Sequence, residues 1–303
     1  MHPDKLKARL TGVLAFPVTP FNADLELDKR ALYDIVAYLI DSGVQALVAC
    51  AGTGEFYSLT EEECRQVASI VIEAAAGQIP VIVGVGCSVR AACELAVHAQ
   101  DAGADGILVL PSYYIRPHDD GLFEYYRAIA AAVDLGIIVY SRDWAAFTPD
   151  FVSRLTEIEN VIALKEGQGD LRAFTKMQDR FGDRLAWIGG VGDDMVPGYF
   201  SCGAQAYTSS IANFIPDVAI ELYAASCRGD YAQVKELLRT KVNPIYSLRS
   251  KRRGYEVTMT KEAMNLLGMP AGPVRPPLPK VTAEDREELR HVLQQIGLSP
   301  VVN

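Results

Sequence analysis

Apolar residues gather into short runs along the first two-thirds of the chain, at positions 12–19, 46–51, 81–85, 106–111, 136–140, 161–165, 185–189 and 204–209. Runs of this length, rich in Val, Ile and Leu with little polar alternation, predict strands buried on both faces of a parallel sheet. The stretches between them carry helical period instead: Leu32, Ile35, Val36, Leu39 and Ile40 make one apolar stripe. Polar residues mark the helix ends. Thr60 with Glu63 reads as a capping box, with Leu59 placed for a hydrophobic staple. Ser88 can cap a helix that ends at Gly103, and Pro149 after Thr148 suits a first helical position. Strands that recur at intervals of roughly 20–35 residues, each followed by a helix, predict a (β/α)8 TIM barrel.

Beyond Pro216 the strand pattern stops. Positions 217–228, 230–248, 258–267 and 283–296 read as helices, interrupted by Gly254 and by the proline-rich segment 270–279. The first of these completes the barrel. The expected organisation is therefore a barrel catalytic domain over 1–228 and a small C-terminal helical appendage over 229–303. A doubly wound sheet is the competing architecture. Its dinucleotide fingerprint is missing, because Gly84-Val85-Gly86 and Gly190-Val191-Gly192 do not extend to Gly-x-Gly-x-x-Gly.

With 303 residues, 50% hydrophobic and 22% charged, the chain can bury a substantial core. A net charge of −9 argues against nucleic acid as a partner, and the one dense basic run, 249–253, reads as a solvated helix end. No apolar run reaches membrane-spanning length and the N-terminus has no signal-peptide layout, so no membrane partner and a cytoplasmic location are expected. The six cysteines include no Cys-x-x-Cys pair and the four histidines no ligand spacing. No metal and no cofactor are therefore expected.

One charge is out of pattern. Lys165 closes the run Val161-Ile162-Ala163-Leu164, and so sits at the lip of a buried strand just before Gly167 and Gly169. Burial there disfavours the ammonium and makes a nucleophilic amine accessible, although a strand-end lysine also snorkels into solvent readily. In a barrel the functional groups gather at the C-terminal ends of the strands. Those ends supply Thr19, Gly52, Thr53, Glu55, Ser112, Tyr113, Tyr114, Tyr140, Ser141, Arg142, Asp143, Lys165, Ser209 and Ser210. A lysine among phenols and hydroxyls is what imine chemistry on a ketone requires. Each member has a plainer reading. Tyr140 can be an amphipathic plug, Thr53 turn chemistry, Arg142-Asp143 a local salt bridge, Tyr113-Tyr114 interface packing, and Glu55 a loop-orienting group.

Taken in order, these segments resemble a known family. Phe16-Pro17-Val18-Thr19-Pro20-Phe21, Ala51-Gly52-Thr53-Gly54-Glu55, Tyr113-Tyr114-Ile115-Arg116-Pro117, Tyr140, and Leu164-Lys165-Glu166-Gly167-Gln168-Gly169-Asp170 are similar to the dihydrodipicolinate synthase / N-acetylneuraminate lyase superfamily. The resemblance implies a Schiff base between Lys165 and a 2-oxo acid, with Tyr140 relaying protons. It implies that Gly52, Thr53 and neighbouring backbone hold the carboxylate beside the ketone. Tyr114 would come from, or point toward, a neighbouring subunit, in a homotetramer built as a dimer of dimers. Synthases of this superfamily carry two threonines where Gly52 and Thr53 stand, and an arginine near Trp144-Ala145-Ala146. Three segments, Tyr140-Ser141-Arg142-Asp143, Arg253-Gly254-Tyr255-Glu256-Val257 with Lys261, and Gly272-Pro273-Val274-Arg275-Pro276-Pro277, look instead like the 5-dehydro-4-deoxyglucarate dehydratase branch. That branch usually has asparagine where Ser141 and Trp144 stand. The resemblance thus implies a small-molecule 2-oxo sugar acid as substrate, with Ser141, Ser209 and Ser210 as further contacts by position. An aldolase or synthase on the same lysine and a non-catalytic sugar-acid sensor are the alternatives.

Overall fold

The computed structural model describes residues 1–112 and 114–301. Its eight strands are β1 (Gly12–Ala15), β2 (Ala46–Ala49), β3 (Val81–Val85), β4 (Gly106–Val109), β5 (Gly136–Ser141), β6 (Val161–Glu166), β7 (Ala186–Gly189) and β8 (Ala206–Ser209). They pair in parallel, each with its sequence neighbour, and β1 closes on β8. The expected barrel is the fold. Strand residues alternate between two apolar layers. Val13, Ala15, Ile137 and Val139 face the surrounding helices, whereas Leu14, Phe16 and Ile138 face the barrel axis. The lower end of the barrel is stopped by the N-terminal helix Pro3–Arg9, whose Leu6 and the following Leu10 are fully buried in the axial layer.

The helix ends follow the polar signals. Thr60 and Glu63 form the full capping box on helix Glu61–Ala75. Ser88 caps helix Val89–Ala102, which stops at Gly103 in the left-handed region, and Thr148 caps helix Pro149–Leu155. Some strands are shorter than the apolar runs that announced them. The ladder of β1 ends at Ala15 because Pro17 and Pro20 have no N–H to donate, and of the rest of that run Phe16 lines the cavity.

After the last barrel helix, Pro216–Cys227, the chain continues through Tyr231–Leu237, a wide π-turn at Leu238–Val242, and the helices Asn243–Arg249, Tyr255–Leu266 and Ala283–Gln295. The long helix expected over 230–248 is thus interrupted. Pro244 cannot donate to the preceding turn and its ring crowds the carbonyl four residues back, a conflict that one widened turn accommodates. One continuous core runs from Val13 to Ile296. The passage near residue 228 is therefore a change of architecture rather than a break in packing. No helix among the described residues is long and apolar enough to cross a membrane.

Candidate active site

A bulge in β6 decides where its lysine points. Ile137 pairs with Val161, but Ile138 pairs with Ala163, which leaves Ile162 as an extra residue. Strict alternation from Val161, which faces the helices, would turn residue 165 outward as well. Instead Ile162 and Ala163 both face the barrel axis, Leu164 returns to the helix layer, and Lys165 swings inward. One inserted residue converts a strand-end lysine into an axial one.

The lysine is buried, 3% exposed. Its Nζ donates to the carbonyl of Gly190 at 3.1 Å and lies 3.4 Å from the ring centroid of Tyr140. No carboxylate among the described residues pairs with it, and its amine is held well below the usual lysine range. Burial is the main cause, the Arg142 guanidinium adds to it, and Glu166 pulls the other way. Glu166 faces outward, where its carboxylate accepts from the Tyr199 hydroxyl and from the backbone N–H groups of Gln168 and Gly169. That ties down the turn behind the lysine.

Two glycines make room for this arrangement. A Cβ on Gly167 would stand 2.6 Å from Cε2 of Tyr140, and one on Gly190 would stand 2.7 Å from Cγ of Lys165. The phenol of Tyr140 is pushed up to about 12, chiefly by burial and against the pull of Arg142. It is held as a proton-carrying O–H.

Above Lys165 opens a cavity of about 800 Å³, ample for a small sugar acid. Gly52 and Thr53 line it from the loop after β2, Ser112 from the loop after β4, and Arg142, Asp143 and Trp144 from the loop after β5. The loop after β2 is clamped from below. Thr19 Oγ1 donates to the Gly54 carbonyl at 2.7 Å. The fully buried Glu55 accepts from Lys261 Nζ at 2.7 Å and from the backbone N–H of Arg275 at 3.0 Å. Arg275 also forms an ion pair with Glu63. Glu55 orients the loop, and its partners come from the C-terminal segments.

Not every expected residue faces the cavity. Ser141 is buried away from it: its hydroxyl donates to the Ala145 carbonyl at 3.1 Å and accepts from the Phe147 N–H at 3.2 Å. It pins the loop after β5, and the expectation that it contacts substrate is corrected. Ser209 reaches the cavity wall, but its hydroxyl donates to Asp193 Oδ1 at 2.6 Å and accepts from the Ala212 N–H. Ser210 does line the cavity. Tyr114 stands at the rim, 87% exposed, and Tyr113 lies outside the described residues.

The sequence profile of the Dihydrodipicolinate synthetase family matches residues 9–296. The chain belongs to this family. Among its relatives, a probable 5-dehydro-4-deoxyglucarate dehydratase of Bradyrhizobium diazoefficiens is 38% identical over 98% of this chain and 96% of that protein. Another so named, from Saccharopolyspora erythraea, is 40% identical over 91% of each. The dihydrodipicolinate synthase of Oceanobacillus iheyensis superposes with a TM-score of 0.92 at 31% identity, covering 96% of this chain and 98% of that one. That of Acinetobacter baumannii, solved in complex with pyruvate, gives 0.88 at 31% identity, covering 96% and 100%.

This family member places one further cation in its cavity, Arg249, which reads in the sequence as part of a solvated basic run. Lys251, Arg252 and Arg253 are indeed exposed, but Arg249 turns inward and donates to Ser210 Oγ at 2.8 Å. The available signal was Pro244. A proline inside a helical run forecasts a distortion, and a distortion resets which face the following residues present.

Proposed function

We propose that this chain is a Schiff-base-forming lyase of sugar-derived 2-oxo acids. Its proposed reaction is the decarboxylating dehydration of 5-dehydro-4-deoxy-D-glucarate to 2,5-dioxopentanoate, carbon dioxide and water. The observation that carries this reading is Lys165: a buried amine with a depressed pKa and, among the described residues, no carboxylate partner, under the ring of Tyr140 and open to the cavity. The names of the near-full-length relatives support the choice of substrate.

In the proposed sequence, neutral Lys165 adds to the ketone and water leaves, giving an iminium. The carboxylate beside the ketone is held by Thr53 and the adjoining backbone N–H groups. A proton leaves the neighbouring carbon, and the electron pair forms an enamine. The enamine expels the β-hydroxyl as water, with Tyr140 positioned to carry protons. The resulting unsaturated iminium accepts the electron pair of the bond to the distal carboxylate, which departs as carbon dioxide. Protonation, tautomerisation of the enol and hydrolysis of the imine release 2,5-dioxopentanoate and restore Lys165.

Product analysis tests this directly. Stoichiometric carbon dioxide and 2,5-dioxopentanoate without pyruvate is the expected outcome. Pyruvate as a product would favour aldol cleavage on the same lysine. The protein is further proposed to assemble as a tetramer of paired dimers with Tyr114 at the dimer contact. A monomer at micromolar concentration in sedimentation would contradict that.

A further inference from the structure

The proposed substrate carries a carboxylate at each end, and Thr53 with Lys165 accounts for only one. The cavity holds two arginines. Arg142 is already engaged: its Nε donates to Asp143 Oδ1 at 3.2 Å and its Nη1 to the Gly167 carbonyl at 3.2 Å. Arg249 is different. Its Nη1 donates to the uncharged Ser210 hydroxyl at 2.8 Å; among the described residues its buried Nε has no hydrogen-bond partner and the side chain is in no ion pair. A buried, unused donor on a permanent cation is costly unless something occupies it.

The side chain is also pre-positioned. Its guanidinium stacks on the Tyr246 ring at 4.6 Å. Tyr246 is itself anchored, donating to Asp193 Oδ2 at 2.8 Å and accepting from the Asp193 N–H at 2.7 Å. Asp193 is held in turn by Ser209. Tyr246 and Arg249, one helical turn apart, both lie on the helix that follows the π-turn at Leu238–Val242. Their place is also apt, since Ser210 follows β8, two strands round the barrel from Lys165, while Thr53 approaches from β2.

We propose that Arg249, with Ser210, is the subsite for the distal carboxylate of a dicarboxylic 2-oxo acid. The C-terminal helices would thereby set the selectivity of the cavity. The inference rests on the proposed function, so its test uses a ligand pair that asks only about the far carboxylate. 2-Oxoadipate and 2-oxohexanoate have the same chain length and the same 2-oxo acid end, and differ by a terminal carboxylate against a methyl group. Their affinities are measured by titration calorimetry, and imine formation is followed separately by borohydride trapping.

The native protein is expected to prefer 2-oxoadipate by roughly 10- to 100-fold, as a charge-assisted hydrogen-bonded pair supplies. R249M should erase most of that ratio, and R249K should keep part of it, since an ammonium replaces the charge but not the planar fork. The ratio within each protein is the readout, so a general loosening of the fold moves both ligands together. A native protein without the preference, or an R249M protein that retains it, overturns the subsite. An Arg249-dependent preference without any borohydride adduct would support the subsite while sinking the lysine chemistry.

Discussion

Replacing Gly167 by alanine inserts one methyl group where Tyr140 now lies. The new Cβ would stand 2.6 Å from Cε2 and 3.0 Å from the hydroxyl oxygen of Tyr140, and 3.1 Å from Cδ of Arg142. Carbon atoms rest at about 3.5–4.0 Å, so the ring must retreat by roughly 1 Å. The retreat has little room, because Lys165 Nζ sits 3.4 Å from the ring centroid. Gly167 is not among the residues in the left-handed region, so alanine is acceptable to the backbone and the effect acts through the contact. Overpacking of this kind costs about 1–3 kcal/mol. A misplacement of about 1 Å can lower turnover by about 10²-fold, and a displaced general acid–base by roughly 10²–10⁴-fold. G167A should therefore fold, lose about 10²-fold or more in kcat, and still form a borohydride adduct. The assay is steady-state carbon dioxide release from G167A, Y140F and the double variant. If the methyl group acts by moving the phenol, the double variant is no slower than Y140F alone. Turnover of G167A within threefold of the native protein, or effects that simply multiply, would refute the reasoning.

Other expectations follow from the charges around the site. Arg142 is second only to burial in holding the Lys165 amine down. R142M should raise that pKa, leave less neutral amine at a given pH, and move the acid limb of the kcat/KM profile to higher pH; an unmoved limb contradicts this. K261M strips the fully buried Glu55 of its partner at 2.7 Å; removing one member of a buried pair costs about 3–5 kcal/mol in chemical denaturation. The companion double variant with Glu55→Leu should recover part of that loss. Glu63 is held at about 2, foremost by Arg275. Because its folded-state pKa is depressed, the stability it adds is complete above the ordinary carboxylate range and is lost as pH falls through 4.5 toward 2. E63Q should flatten that part of the stability profile, and an unchanged acid limb would contradict the assignment.

The strands and helix caps were legible because they depend on local pattern. Eight apolar runs, the Thr60 capping box and the Ser88 and Thr148 caps need no knowledge of tertiary contacts. Lys165 was legible as a charge in the wrong place, but its inward aim was not. Period-two reasoning assigns a face only while the register is unbroken, and the extra residue Ile162 reverses the phase before Lys165. Ser141 misled for a related reason. It sits at a strand end where functional groups gather, yet its hydroxyl staples a loop whose path is set by Ala145 and Phe147. Arg249 was hidden by its neighbours, since charge counting cannot separate one inward arginine from the exposed cations beside it.

Reductive trapping bears most directly on Lys165 as the imine-forming group. Borohydride added during turnover should reduce the imine to a secondary amine, inactivate the protein, and leave a mass increment on the peptide that contains Lys165. Lys261 is the internal control: it is buried too, and burial lowers its amine to about 8, but it is paired with Glu55. The exposed Lys176 serves as a second control. K165R keeps a cation that cannot deprotonate, and should show neither adduct nor turnover. An adduct confined to Lys165 is the expected result. A sample that turns over in borohydride while Lys165 remains unmodified, or that carries its adduct on Lys261, would contradict the mechanism.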